Sequence, residues 1–256
     1  MRLWRAHGLG NDYLVLEEGP PITPALAIGI CHRHTGVGSD GILEPFETED
    51  AEYGVRIWNP DGSIAEKSGN GLRIFARWLV EERGAARDFT VHTGHDRVRC
   101  EILGDLIRVA MGPARVSVAL ILEGVSAVPV NVGNPHCVIF GDRFPADWRD
   151  LGARLEVHPH FPNRTNVQFA RVIDSNNLEI RIWERGAGET SASGSSACAA
   201  AAAGVATQRL FGGDVTVHMP GGQLLVRVEE DMTVHLTGPV QVIGRFVVDP
   251  RWATGP

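Results

Sequence analysis

The hydrophobic positions of this chain fall in short runs separated by glycine, proline and small polar residues. Many runs alternate apolar with polar positions, which is typical of strands with one buried face. The 30 glycines and 15 prolines supply turns between them. The pattern predicts strands at Tyr13–Leu16, Tyr53–Trp58, Phe89–Thr93, Arg97–Ile102, Leu106–Met111, Val128–Val132, Cys137–Phe140, Asn166–Val172, Leu178–Trp183, Val215–Met219, Gln223–Val228 and Thr233–Thr237.

Three segments show a helical pattern, and we predict helices at Pro24–His32, Gly71–Glu82 and Ser195–Leu210. The third helix is unusual because Ala197–Gly204 is small on every face. The helix propensity of alanine explains why a helix forms, but it does not explain the absence of a charged face. We therefore expect this helix to be buried in the middle of its half of the chain.

One pattern occurs twice along the chain. Arg56-Ile57-Trp58 is followed by Ser68-Gly69, and Arg181-Ile182-Trp183 is followed by Ser193-Gly194, with the serine ten residues after the tryptophan each time. The two copies are 125 residues apart. Each predicts an apolar strand, a polar loop and a small-residue turn that opens a helix. Two matched halves, each with a serine at a helix start, indicate one site built from two similar parts.

Breaks near Gly112-Pro113 and Gly238-Pro239 divide the chain further. We expect an α/β (α+β) fold whose first half is residues 1–112 plus 240–256, with the Ser68 turn. The second half is residues 113–239, with the Ser193 turn. The last strand, Val240–Val248, would return to the first half.

Composition excludes several classes of function. The net charge is −7 and no run of basic residues stands out, so we expect no nucleic-acid partner. No stretch is long and apolar enough for a membrane span. The cysteines are scattered through apolar contexts, which favours a reducing cytoplasm; they are Cys31, Cys100, Cys137 and Cys198.

Cofactor motifs are absent from the sequence. There is no P-loop, no zinc-protease helix motif and no dinucleotide fingerprint, so we expect no bound nucleotide. Cys31-His32-Arg33-His34 has ligand-type residues, but no second ligand group accompanies it. We expect neither a metal nor another cofactor.

The two small-residue turns are the first candidates for chemistry. Ser68-Gly69-Asn70-Gly71 and Ser193-Gly194-Ser195-Ser196 would leave backbone N–H groups open at a helix start, where an anion such as a carboxylate binds well. Serine and glycine are also ordinary N-cap residues. A single copy would favour that plain interpretation, and two copies with matched upstream sequence favour a site.

Amide and charged side chains cluster near these turns. An arginine with several asparagines makes a rigid recognition site for a carboxylate, and Glu184 could hold an ammonium. Each asparagine alone is as easily a turn residue, and His7 and His136 alone would be turn or core histidines. The candidates are Asn11, Asn59, Asn134, Asn166, Glu184 and Arg185.

Together these motifs resemble the diaminopimelate epimerase family, in the same order and spacing and nearly end to end. The resemblance implies two pseudo-twofold-related halves, each a curved barrel-like sheet around a central helix, with a cleft between them and a homodimeric assembly. It also implies cofactor-independent conversion of LL-diaminopimelate to meso-diaminopimelate, a small-molecule amino acid, in lysine and peptidoglycan synthesis. The matching segments are His7–Asp12, Asn59–Ser63, Gly69–Gly71, Gly133–Cys137 and Glu184–Thr190.

The resemblance also assigns roles to residues. In the family two cysteines flank the substrate α-carbon, and their positions hold Ser68 and Ser193 here. The reacting carboxylate would bind the N–H groups of the following turns. Glu184 and His136 match residues near the reacting centre. The implied substrate-binding residues are Asn11, Asn59, Gly69, Asn70, Asn134, Asn166, Glu184, Arg185, Gly194 and Ser195.

The chain departs from the family pattern at five positions. Besides the two serines, Gly41 replaces the usual Gln, Ser196 replaces the second Gly of the usual Cys-Gly-Ser-Gly, and Lys67 is not the usual residue. A serine hydroxyl ionises many pH units above a thiol, so it needs an activating neighbour. The neighbours to weigh are Glu66, Lys67, His136 and Glu184.

Three interpretations stay open. The protein could be a divergent epimerase that uses serines, an engineered trap, or a homologue that binds an amino acid without chemistry. The further changes at Gly41, Lys67 and Ser196 argue against a designed trap. A racemase or isomerase of another amino acid on the same fold, resembling proline racemase or phenazine-pathway enzymes, matches less of the chain.

Overall fold

The computed structural model describes residues 1–253. Its helices are α1 (Pro24–Cys31), α2 (Gly69–Arg83), α3 (Trp148–Glu156), α4 (Gly194–Ala206) and α5 (Pro250–Ala253). Its strands are β1 (Arg2–Gly8), β2 (Asn11–Glu18), β3 (Ile42–Phe46), β4 (Tyr53–Trp58), β5 (Ile64–Ala65), β6 (Asp88–His92), β7 (Arg97–Leu103), β8 (Leu106–Pro113), β9 (Arg115–Val116), β10 (Leu120–Leu122), β11 (Val125–Asn131), β12 (Pro135–Phe140), β13 (Asn166–Asp174), β14 (Asn177–Glu184), β15 (Gly188–Thr190), β16 (Gly213–Met219), β17 (Gly222–Val228), β18 (Thr233–Pro239) and β19 (Gln241–Val247).

The chain forms two compact units. One comprises Met1–Val109 and the segment from Gly238 onward, and the other comprises Ala110–Thr237. The strand-rich mixture of helices and strands confirms the predicted α+β class. Within the described residues, no helix is long and apolar enough to cross a membrane.

The first unit is a sheet in the order β19-β1-β2-β3-β4-β6-β7-β8. Its two parallel joins are β2 with β3 and β4 with β6, and the other neighbours are antiparallel. The helices α1 and α2 make the two parallel crossovers. Helix α2 contacts β1, β2 and β7, which lie in different parts of this order, so the sheet curves around the helix.

The second unit repeats this topology. Its order is β10-β11-β12-β13-β14-β16-β17-β18, with parallel joins of β12 with β13 and of β14 with β16. Here α3 and α4 make the crossovers. Each serine turn therefore occupies the same place in its unit, between a strand and the helix that crosses to a parallel strand.

Helix α4 is buried as predicted. Ala197–Ala203 have no exposed surface, and the helix contacts β9, β11, β12, β13, β14, β16 and β17. The predicted end at Leu210 was wrong, because the helix ends at Ala206. The chain folds back so that the N–H of Leu210 donates to the Gly204 carbonyl, and a Cβ at Gly204 would lie only 2.5 Å from Leu210 Cδ1.

Helix α3 and strands β1 and β3 were not predicted. Helix α3 packs Trp148, Leu151 and Leu155 against Val167 and Phe169 of β13. The first two of these side chains are three residues apart and the next is four further on, so the helix has one apolar stripe. The signal was present in the sequence but short.

Candidate active site

Ser68 is the N-cap of α2. Its backbone is extended (φ −137°, ψ 114°), and its Oγ accepts a hydrogen bond of 3.0 Å from the N–H of Gly71. Gly69 and Asn70 are buried directly after it. The first N–H groups of a helix have no partner within the helix, so this turn presents donors suited to an anion.

Tyr13 lies beside this serine and was not among the predicted site residues. Its Oη is 3.1 Å from Ser68 Oγ, and the residue is only 6% exposed in β2. Gly41 makes room for the ring, because a Cβ at that position would lie 2.5 Å from Tyr13 Cε1. The available signal was that the chain has two tyrosines and one of them directly follows the Asn-Asp pair of the first motif.

Asn11 and Asn70 meet in the first unit. Asn70 Nδ2 donates to Asn11 Oδ1 at 3.0 Å, and Asn11 Nδ2 donates to Asp40 at 3.0 Å. The guanidinium of Arg73, which has no exposed surface, donates to Asn70 Oδ1 at 2.8 Å. These bonds fix both amides next to the Ser68 turn.

Three other first-unit candidates have structural partners. The amide of Asn59 donates to Ser63 Oγ within its own turn, and His7 Nδ1 accepts from Gly10 N–H. Lys67, the single lysine of the sequence, lies 3.1 Å from Asp96 with 12% of its side chain exposed. An ammonium engaged by a carboxylate is poorly placed to act as the base for Ser68.

Ser193 is the N-cap of α4 with a similar extended backbone (φ −149°, ψ 124°). It is 7% exposed, and its side chain makes no cap hydrogen bond. Gly194 is buried, and Ser195 is half-buried. The two serine turns therefore share backbone geometry but differ in the hydrogen bonding of the hydroxyl.

His136 is fully buried, and its Nε2 lies 2.9 Å from Asn134 Oδ1. Burial lowers the pKa of His136 to about 3, against a smaller opposing effect of a hydrogen bond with Gln168. The imidazole is neutral at physiological pH, and since Asn134 Oδ1 is an acceptor, Nε2 carries the proton. His136 can therefore hold Asn134 in place, but as a neutral group it is a poor proton donor.

Gln168 connects this histidine to α4. Its amide lies 3.0 Å from Ser196 Oγ, while Gln168 Oε1 and His136 Nδ1 each lack a partner when the amide nitrogen faces the serine. Rotating the amide by half a turn satisfies both atoms, because Ser196 then donates to Oε1 and Nε2 donates to His136. Ser196, one of the departures from the family pattern, thus supports Asn134 through two intermediates.

Asn166 and Glu156 hold the Arg185 turn. Asn166 Oδ1 accepts from the N–H of Arg185 at 3.0 Å, and Asn166 Nδ2 donates to the Pro135 carbonyl. Buried Glu156 accepts from Gly186 N–H at 2.7 Å and from Trp183 Nε1 at 2.8 Å. The Arg185 side chain is exposed, and the half-buried Glu184 precedes it at the end of β14.

The cysteine–histidine segment makes contacts within its own unit. Cys31 is buried in the core, and His32 Nδ1 accepts from Thr35. Among residues 1–253 there is no group of three metal-ligating side chains close enough to hold an ion.

Solved structures share this fold over nearly the whole chain. A predicted epimerase from Pseudomonas aeruginosa is 18% identical, covers 96% of this chain and 98% of its own, and has a TM-score of 0.75. A PhzF-family phenazine biosynthesis protein from Bacillus anthracis is 13% identical over 97% and 99%, with a TM-score of 0.74. A hydroxyproline epimerase from Agrobacterium vitis is 16% identical over 98% and 93%, with a TM-score of 0.71. At these identities the similarity defines the class by fold alone, a two-repeat α+β fold.

Sequence relatives are more specific. The diaminopimelate epimerase family model matches residues 3–117 and 128–243. Diaminopimelate epimerase 2 of a Nostoc species is 40% identical over 94% of this chain and 93% of the relative. The diaminopimelate epimerase of Pelotomaculum thermopropionicum is 38% identical over 95% and 97%. The chain belongs to the diaminopimelate epimerase family, which is a family of isomerases.

Proposed function

We propose that this protein is a cofactor-independent epimerase that converts LL-diaminopimelate to meso-diaminopimelate by two-base α-proton transfer. Full-length relatives of that name, 38–40% identical, support the substrate and the reaction. The observation that carries the proposal is the pair of serines at matched helix N-caps, each followed by a small-residue turn. One serine removes the α-proton and the other delivers a proton to the opposite face.

The helix starts stabilise the charge that develops. In the proposed reaction the substrate carboxylate accepts hydrogen bonds from the N–H groups of Gly69 and Asn70 and of Gly194 and Ser195. Loss of the α-proton moves negative charge onto that carboxylate, and preorganised N–H donors stabilise such charge best where water is excluded. Gly69, Asn70 and Gly194 are buried.

Arg185 is the proposed partner of the distal carboxylate. Its backbone is fixed by Asn166, while its guanidinium is exposed and can form a bidentate pair. The neighbouring Glu184 carries the charge that an ammonium group needs. Asn11, Asn134 and Asn166 complete the proposed binding set, with Asn59 as a further contact from its turn.

The two serines are expected to limit the rate of epimerisation, because a hydroxyl is hard to ionise. A thiol has a pKa near 8.5, whereas a serine hydroxyl ionises many pH units higher, and each unit adds about 1.36 kcal/mol to the free energy of forming the base. We therefore expect slow epimerisation unless a neighbour shares the proton. His136 is neutral and lies deep in its unit, so we assign it a positioning role.

A second function is supported by one specific observation. Ser68 Oγ is already engaged as the N-cap acceptor of α2, which is what a purely structural serine does. An amino-acid-binding homologue that has lost the chemistry would keep this bond and the carboxylate-binding turns. Both functions predict that diaminopimelate binds, but only the epimerase exchanges its α-proton with solvent.

The family resemblance supports a homodimer, and the four buried cysteines fit a reducing cytoplasm. We also propose residues 1–112 with 240–256 and residues 113–239 as the two domains.

The test is α-hydrogen exchange in heavy water with LL- and meso-diaminopimelate, followed by mass spectrometry, alongside calorimetric binding. Exchange of both isomers supports the epimerase, while binding without exchange supports the binding protein. Arg185→Ala should weaken binding at least tenfold, since it removes a charge-assisted pair, whereas Ala at the exposed Arg143 should not. Equal affinities for Arg185→Ala and the parent protein would contradict the distal-carboxylate assignment.

A further inference from the structure

The hydroxyl of Ser68 has two hydrogen-bond partners in its unit. One is the N–H of Gly71 at 3.0 Å, and the other is the phenol of Tyr13 at 3.1 Å. The Gly71 group can only donate, so it always occupies one lone pair of Ser68 Oγ. The direction of the Tyr13 contact therefore decides what Ser68 can offer to a bound molecule.

The two directions correspond to two chemical states. If Tyr13 is neutral and donates to Ser68, both lone pairs of Oγ are used and the serine proton is free to be given away. If Tyr13 is a phenolate, Ser68 donates to it and one lone pair of Oγ is open to accept a proton. The same pair is thus an acid in one state and a base in the other.

The surroundings hold the Tyr13 ring in place. Tyr13 is 6% exposed, and its ring occupies the space that any side chain at Gly41 would need. The preceding residue, Asp12, is buried and pairs with Arg5 at 2.6 Å and with Arg33 at 2.9 Å. On the adjacent turn, Lys67 is paired with Asp96.

We propose that Tyr13 is the acid/base partner of Ser68, and that the two hydroxyls act together where the family uses one thiol. This inference rests on the proposed epimerase function, and it names the group that allows Ser68 to transfer a proton on its face of the substrate. Tyr13 acts through Ser68, so it is a positioning and proton-sharing residue.

The proton transfer balances within the pair. In the base state, the α-proton passes from the substrate carbon to Ser68 Oγ as the serine's own proton passes to the Tyr13 phenolate. The electron pair of the broken C–H bond stays on the substrate as a carboxylate-stabilised carbanion. In the opposite direction Ser68 gives its proton to the carbanion while Tyr13 donates its proton to Ser68, which leaves the phenolate.

A phenol ionises far more readily than a serine hydroxyl, so it makes the basic state of the pair much more populated. Its ordinary pKa near 10 is about 1.5 units above that of a thiol, which corresponds to about a 30-fold difference in the population of the ionised form. The N-terminus of α2 further favours negative charge at this end of the helix. Both tyrosines of the chain, Tyr13 and Tyr53, belong to the first unit, so we assign the phenol to the Ser68 face alone.

The main test uses this asymmetry. We would measure α-deuterium incorporation from heavy water into LL- and meso-diaminopimelate separately, for the parent, Tyr13→Phe and Tyr53→Phe proteins. Tyr13→Phe should slow incorporation into the recovered isomer that Ser68 deprotonates by about 100-fold. Incorporation into the recovered other isomer, which Ser193 deprotonates and reprotonates without Ser68, should stay within threefold. Tyr53→Phe, which removes the chain's other phenol, should change neither.

Two results would overturn the proposal: unchanged incorporation in Tyr13→Phe, or equal loss for both isomers, which indicates a structural defect. A rescue variant distinguishes loss of the proton relay from a structural defect. Ser68→Cys in the Tyr13→Phe background should restore incorporation on that face, because a thiol ionises without a partner. Failure of the rescue, in a folded protein that still binds substrate, counts against the relay.

A second measurement does not depend on activity. In a Tyr53→Phe background Tyr13 is the single tyrosine, so the ¹³Cζ resonance of labelled tyrosine reports its ionisation alone. Ser68→Ala should raise the titration midpoint by about one pH unit, because the phenolate loses a donor, whereas Ser126→Ala in the other unit should not. An unchanged midpoint overturns the shared proton. If the parent exchanges neither isomer, the proposed function fails, and this titration still decides whether the two hydroxyls are coupled.

Discussion

Burial keeps His136 neutral, and this makes the stability of the folded protein depend on pH. The folded-state pKa of about 3 lies below the ordinary 6.5 of histidine. Below pH 6.5 the histidine is therefore protonated in the unfolded chain but stays neutral in the folded chain. The contribution of His136 to the free energy of unfolding is complete above pH 6.5 and is lost as the pH falls toward 3. Between pH 7.5 and pH 5 the parent should lose about 2 kcal/mol more unfolding free energy than His136→Gln.

Urea unfolding at both pH values checks this expectation. The comparison is between the pH dependences of the two proteins, so a general destabilisation by His136→Gln cancels. Equal losses in the two proteins would mean that His136 takes up a proton in the folded state, and the neutral positioning role would be wrong.

Gly41 is a residue whose importance is steric. A Cβ at this position would lie 2.5 Å from Tyr13 Cε1 and 2.6 Å from the Trp58 carbonyl oxygen. We expect Gly41→Ala to lower the unfolding free energy by about 1–3 kcal/mol, since the ring and the backbone must both move. Gly212→Ala is the matched control, because its Cβ would meet only the Val228 carbonyl at 3.9 Å. Equal stability of the two variants in urea would show that the Tyr13 ring is free to shift.

Individual site residues differ in how far the sequence predicted their surroundings. Asn11 and Asn70 were predicted as site candidates, and they do lie together at the Ser68 turn. Asn59 was predicted in the same way, but its amide closes its own turn. Tyr13 was overlooked because a tyrosine in an apolar run is first of all a strand residue; only the tertiary contact with Ser68 gives it another meaning.

At the scale of elements, the repeat contained more information than its two serine turns. Both units follow strand, crossover helix, strand pair, short return strand and serine-capped helix in the same order. The equivalence of α1 and α3, applied to the sequence, would have predicted a helix between β12 and β13. Helix α3 was missed because its nine residues give a weak periodic signal by themselves.

Paired tryptophans show the same equivalence in chemical detail. Trp58 Nε1 donates to buried Glu44 at 2.9 Å in the first unit, and Trp183 Nε1 donates to buried Glu156 at 2.8 Å in the second. The repeated Arg-Ile-Trp pattern was readable in the sequence. The two glutamates were not, because they lie on other elements at different distances along the chain.

The alanine run of α4 is closely packed, so a larger side chain there should destabilise the protein. Ala201 has no exposed surface, whereas Ala206 at the end of the helix is exposed. Leucine and alanine have similar helix propensities, so Ala→Leu changes mainly the packing. We expect Ala201→Leu to lower the unfolding free energy by about 1–3 kcal/mol and Ala206→Leu to change it by less than about 0.5 kcal/mol. Similar values at both sites would mean that the centre of the unit is loosely packed.

For the whole molecule, the two-repeat fold and the family could be predicted from motifs, but the chemistry of the serines could not. Order and spacing of the motifs predicted a diaminopimelate epimerase family member, and the relatives confirm this. Whether a hydroxyl has a proton-sharing neighbour depends on contacts across the sheet. Ser68 and Ser193 are alike in sequence and backbone, yet one hydroxyl bonds a phenol and the other makes no cap bond.

Epimerisation needs both faces, so restoring thiols should act cooperatively. Ser68→Cys or Ser193→Cys alone improves one proton transfer and leaves the other limiting, so each should raise deuterium incorporation for one isomer with little gain in net epimerisation. The double variant should raise kcat by about 100-fold or more, because both transfers then use thiols, which ionise many pH units below a serine hydroxyl. Coupled assay of meso-diaminopimelate formation and heavy-water exchange measures both quantities, with Ser126→Cys as the control for an added thiol. A double variant slower than the parent would show instead that the surrounding groups, Tyr13 foremost, are fitted to serine chemistry.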